Sequence, residues 1–136
     1  MREIDTIVFH CSASDNPNQD VGTMRQYHVF TKGWADIGYH YFIKKDGTIQ
    51  EGRPIDKIGA HVARHNTGTV GVCFAGLNDF TKPQMEAAHE IIKIINKKVG
   101  KELALKGHND YTKKKTCPNF DIPKFLKGEL KIIRRF

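Results

Sequence analysis

Short apolar runs rich in β-branched residues alternate along this chain with longer stretches in which apolar positions recur every three or four residues. IDTIVFH (4–10) and VGVCFAG (70–76) are runs of the first kind, and their length and composition predict buried strands. YHYFIKKDGTIQEG (39–52) holds two shorter ones around Lys45-Asp46-Gly47, which predicts a hairpin. ELALK (102–106) predicts a last strand. TMRQYHVFTKG (23–33) predicts a helix capped by Thr23 and stopped by Gly33. Thr81 opens T-K-P-Q, a capping-box pattern with proline in the first turn. Beyond it Met85, Ala88, Ile92, Ile95 and Val99 repeat at helical spacing as far as Gly100. IPKFLKGEL (122–130) predicts a closing helix. Strands and helices alternating in this way build an α/β domain, a central mixed β-sheet flanked by helices. With no internal repeat or linker, residues 1–136 are expected to form a single domain.

Composition narrows the class. Hydrophobic content of 39% with 27% charged residues is that of a soluble globular protein. The opening MREIDTIVFH lacks the plan of a secretory signal, so synthesis and folding in the cytoplasm are expected. Charge is unevenly spread. Residues 1–92 carry 9 Lys+Arg against 11 Asp+Glu, whereas residues 93–136 carry 13 against 4. A basic C-terminal third suits a polyanion, whether nucleic acid, an anionic bacterial wall polymer or a membrane surface, and equally suits a solvated face.

The candidate chemistry falls at strand ends, where a sheet fixes positions that loops alone could not. His10 closes the first strand, His108 follows the last, and Cys117 lies in the lysine-rich loop GHNDYTKKKTCPNFD. A thiol among lysines is either a reactive nucleophile or a metal ligand. Two histidines and a cysteine make a three-ligand zinc set with a fourth position left for water. They equally make a core histidine, a loop histidine and a buried thiol, and spacing alone leaves these alternatives open. Three cysteines, Cys11, Cys73 and Cys117, is an odd number that suggests free thiols. Cys11 should point to the face opposite His10, and Cys73 should be a small core residue. His40 alternates with Tyr39 and is expected to face away from the site. Trp34 is expected to serve packing rather than sugar stacking, with stacking kept as the alternative.

Five segments, FHCSAS, GWADIGYHYFIKKDGTIQEGR, GAHVARHN, VGVCFAG and GHNDYTKKKTCPNFD, occur in this order. Together they resemble the zinc-dependent N-acetylmuramoyl-L-alanine amidases, and more narrowly the amidase-type phage lysozymes and the peptidoglycan recognition proteins that share their fold. The likeness runs from about residue 4 to residue 126. It implies one zinc ion per chain on His10, His108 and Cys117. It implies catalytic roles for Tyr39 in the G-Y-H segment and for Lys115, two positions before the cysteine. It places His61 and Asn66 on the wall of the substrate cleft. The reaction it implies is hydrolysis of the amide between N-acetylmuramic acid and L-alanine in peptidoglycan, as in an endolysin that acts on the wall after release from the cytoplasm. Cys117 would then be spent on metal and not on nucleophilic attack. A monomer is expected, with anionic wall polymers as further partners of the basic C-terminal third. The alternative is a non-catalytic peptidoglycan-recognising module, a branch in which the cysteine ligand is typically replaced.

Overall fold

Thr6–Cys11 forms the first strand, β1, and alternation along it divides the molecule. Ile7, Phe9 and Cys11 join the main apolar cluster, while His10 points the other way. The structure, a computed structural model, describes residues 2–14, 18–34, 36–77, 80–112 and 117–128. Tyr41–Ile43 (β2), Ile49–Glu51 (β3), Thr69–Phe74 (β4) and Ala104–Gly107 (β5) complete one sheet in the order β3-β2-β4-β1-β5. The β2–β3 hairpin is antiparallel, and the β2–β4, β4–β1 and β1–β5 pairs are parallel. This is the expected mixed sheet.

Helices cover both faces. Lys82–Val99 (α2) lays Ala87, Ala88, Ile91 and Ile95 against Ile7, Phe9, Val70, Val72 and Phe74. Removing a side chain such as Ile91 would cost about 2–5 kcal/mol, because a cavity is left as well as lost burial. The helix begins as its sequence predicts. Thr81 Oγ1 accepts from Gln84 N–H and the Gln84 side chain returns to Thr81 N–H. It ends at Gly100, whose φ of 87° closes a left-handed cap that few other residues adopt. Ile122–Leu126 (α3) adds Phe125 to the same cluster. On the other face Val21–Gln26 (α1) seats Met24 on Ile37, Phe42, Cys73 and Ala75.

The first helix departs from expectation at its start. Asp20, not Thr23, is the cap; its carboxylate accepts from Thr23 N–H, and the Thr23 hydroxyl takes the N–H of Asp20. Both residue types are good caps, and here they join in one reciprocal capping box with Asp20 outermost. The same helix continues into a π-helical turn, Tyr27–Thr31. The last strand starts two residues later than expected. Of the closing helix, residues 129 and 130 lie outside the described residues.

Candidate active site

Parallel strands bring their C-terminal ends together, and β1 and β5 deliver two histidines to one edge. His10 is the fifth residue of β1 and His108 directly follows β5. The 3₁₀ turn His108–Asp110 is tied down by the Asp110 carboxylate, which accepts from Gly107 N–H. Asn109 N–H donates to the carbonyl of Cys117 and so draws the cysteine loop back onto the sheet end. His10 Nδ1 and His108 Nδ1 lie 3.1 Å apart. Cys117 Sγ is 3.8 Å from the first and 3.5 Å from the second. Bond lengths for tetrahedral zinc predict edges of about 3.3 Å between nitrogens and about 3.6 Å from nitrogen to sulfur. The three donors therefore fit such an ion. His10 is buried, and His108 and Cys117 are half-buried.

The protonation of the cluster follows from its surroundings. Burial, with His61 and His108 alongside, holds His10 well below the usual imidazole range. The thiol of Cys11 hydrogen-bonds Cys117, and this contact, with burial, pushes the Cys117 thiol up. Cys11 does join the opposite face from His10, as strand alternation predicts, but at the strand end it also reaches the cysteine loop. Tyr39 stands with its ring 5.1 Å from that of His10. Burial first, and then the thiols of Cys73 and Cys117, raise its phenol well above the ordinary value, so it stays protonated.

His61 and Asn66 line a cavity of about 470 Å³ that opens beside His108 and Tyr39. Most of their polar atoms are engaged within the protein. Asn66 Oδ1 accepts from both His61 N–H and Val62 N–H, shaping the loop that carries the histidine. His61 Nδ1 lies 2.9 Å from His10 Nε2, and its Nε2 lies 3.2 Å from Thr69 Oγ1. Burial pushes His61 down to about 3, with His40 and His108 adding to the shift. Gly71 makes room for this ring: a Cβ there would sit 2.6 Å from His61 Cγ.

Of the far wall of the cavity, the sequence singles out only Trp34, as a residue that could stack on sugar. Tyr27 and Trp34 stand there with Lys32 Nζ 5.9 Å and 5.7 Å from their ring centres. Trp34 also packs 4.5 Å from His28, whose Nδ1 accepts from Gly38 N–H just before Tyr39. Only the aromatic content of TMRQYHVFTKGW hinted at that wall. His40 holds the backbone, with Nδ1 accepting from Gly71 N–H and Nε2 facing the carbonyl of Lys57 and Arg2 Nη2, but its ring lies 5.7 Å from that of His61 and so does not turn wholly away from the site. Cys73 is fully buried in the cluster around Met24. Lys115 lies outside the described residues.

The family of N-acetylmuramoyl-L-alanine amidases (Amidase_2) matches residues 1–120. The chain belongs to that family. An endolysin of Enterobacteria phage K11 is 37% identical over 95% of this chain and 90% of its own length. The endolysin of Escherichia phage T7 is 36% identical over 93% and 88%. Among solved structures, the N-acetylmuramoyl-L-alanine amidase LysC from Clostridium intestinale superposes with a TM-score of 0.80 at 29% identity, covering 91% of this chain and 83% of that one. A bumblebee peptidoglycan recognition protein, PGRP-SA, gives 0.81 at 26% identity, covering 96% and 84%. The protein is thus a peptidoglycan amidase of the endolysin type, an enzyme and not only a binding module. No helix among the described residues is long and apolar enough to cross a membrane.

Proposed function

We propose that this amidase holds one zinc ion per chain on His10 Nδ1, His108 Nδ1 and Cys117 Sγ, and uses it to cleave the amide between the lactyl group of N-acetylmuramic acid and L-alanine. The reading is carried by the three donor separations of 3.1, 3.5 and 3.8 Å, close to the edges of a zinc tetrahedron with one corner left over. When bound, zinc supplies a Lewis acid and a water acidic enough to ionise near neutral pH. Cys117 gives up its thiol proton on binding.

The chain's own groups do the rest. Tyr39, kept protonated by burial, orients the attacking water and relays a proton toward the departing amine of L-alanine. Lys115 neutralises the oxyanion that develops on the scissile carbonyl. His61 and Asn66 face the cavity and border the bound sugar and peptide. The basic C-terminal third attracts anionic wall polymers, the enzyme works as a monomer, and it is made in the cytoplasm and meets the wall after release.

The test is Cys117→Ser, because a serine hydroxyl is a neutral and much weaker zinc ligand than a thiolate. Zinc content, peptide release from purified peptidoglycan and retention on insoluble wall are measured on one preparation. The expected result is lost zinc, lost release and retained binding. Release at the wild-type rate would sink the ligand set.

A further inference from the structure

We propose that His61 and Thr69 are positioning residues that hold the His10 ring in the one tautomer able to bind metal through Nδ1. The inference rests on the zinc reading above and extends it one shell outward.

The assignment starts from two carbonyls. Thr69 Oγ1 lies 2.8 Å from the carbonyl oxygen of His65 and 3.0 Å from that of Asn66. Carbonyls only accept, so the single hydroxyl proton of Thr69 goes to one of them. Toward His61 Nε2, 3.2 Å away, the Thr69 oxygen can then only accept, and His61 Nε2 carries the proton. His61 is buried between two other imidazoles, with ring centres 5.0 Å from His10 and 5.7 Å from His40, and the cost of burying a charged ring there favours the neutral form. A neutral imidazole has one donor and one acceptor, so His61 Nδ1 offers a lone pair. His10 Nε2, 2.9 Å from it, must donate. The remaining lone pair of His10 is on Nδ1, the atom that faces His108 and Cys117.

Three side chains in series, Thr69, His61 and His10, thus carry a backbone constraint to the metal position. The rest of the fold guards the series. Gly71 and Gly59 leave the space that His61 fills, for a Cβ at either would come within 3 Å of its ring. Asn66 Oδ1 fixes the turn that carries His61 by accepting from His61 N–H and Val62 N–H. Partners behind a ligating histidine raise its basicity and fix its orientation, and losing them typically costs about 10–100-fold in metal affinity.

The experiment uses the full chain with His61→Leu, His61→Asn and Thr69→Val. Zinc affinity is read by competition with a chelator, and the His10 tautomer by ¹⁵N chemical shifts of the metal-free protein. His61→Leu should bind zinc about 10–100-fold more weakly. His61→Asn puts an amide oxygen where Nδ1 stood and should restore most of that loss. Thr69→Val should fall between the two. In the wild type His10 should carry its proton on Nε2. Zinc binding by His61→Leu as tight as wild type overturns the positioning role alone. If that variant does not fold, the wild-type tautomer decides, and a proton on His10 Nδ1 overturns the role. A wild-type chain that holds no zinc overturns the metal reading together with it.

Discussion

His61 and His40 are neighbours of one residue type, both buried, with rings 5.7 Å apart and nearly perpendicular. Burial pushes one down to about 3 and the other to about 4. By depth and basicity they are a pair. Their partners separate them. His40 directs its nitrogens at the backbone, at Gly71 N–H and at the carbonyl of Lys57, with Arg2 Nη2 3.1 Å from its Nε2, and so staples β4 to the loop after the hairpin. His61 spends both on side chains, and one of these leads to the metal position. A strongly shifted pKa therefore marks a buried imidazole and does not by itself mark a functional one; the identity of the second partner does.

The comparison breaks most plainly on zinc. His108→Ala removes one of three donors and should leave the purified protein largely without zinc and without hydrolysis. His40→Asn, which keeps an acceptor for Gly71 N–H, should retain both, at some cost in stability. Metal analysis and peptide release on the two variants check this. Equal zinc loss in both would mean that the two histidine regions are one functional unit.

A smaller effect concerns the chemistry that needs no imidazole. Lys115→Ala should lower turnover by roughly 10²–10³-fold, the loss typical of one oxyanion-stabilising group, with zinc content unchanged. Lys114→Ala should be nearly neutral. Turnover and metal content of each variant are measured side by side, and a reversed outcome shifts the loop register by one residue.

Much of this was legible because it is local or periodic. Apolar runs gave β1 and β4, the T-K-P-Q box and Gly100 gave both ends of α2, and the strand ends pointed to His10 and His108. Residues that act through distant partners were not legible in this way. His61 meets His10 across 51 positions from the loop between β3 and β4, which the β1–β4 pairing helps to bring beside the end of β1. Thr69 in T-G-T has no pattern that distinguishes a linking hydroxyl from a turn residue. Asp20 and Thr23 are both good caps, and residue type alone does not say which of the two stands outermost in the box they form. Alternation put Cys11 opposite His10 correctly, yet could not foresee a loop returning past the strand end with Cys117.

The smallest effect is a pH dependence of stability, and it sharpens the contrast. An unfolded histidine titrates near 6.5. Folded His40 and His61 titrate at about 4 and about 3. Between these values and 6.5 the unfolded chain binds more protons than the folded one, so stability rises with pH across that window. It is fully present above about 6.5 and is lost on acidification, by up to about 1.4 kcal/mol per pH unit for each such histidine. Urea unfolding of the metal-free protein at pH 7, 6 and 5 should show the decline. His40→Asn should flatten it by about one proton while leaving zinc affinity at pH 7 untouched, because no bond of His40 leads to a metal donor. An unchanged slope would mean that His40 takes up its proton at the same pH in the folded chain as in the unfolded one, and so is charged at pH 5. Its Nδ1 could not then accept from Gly71 N–H, and the purely structural part given to it here would fail.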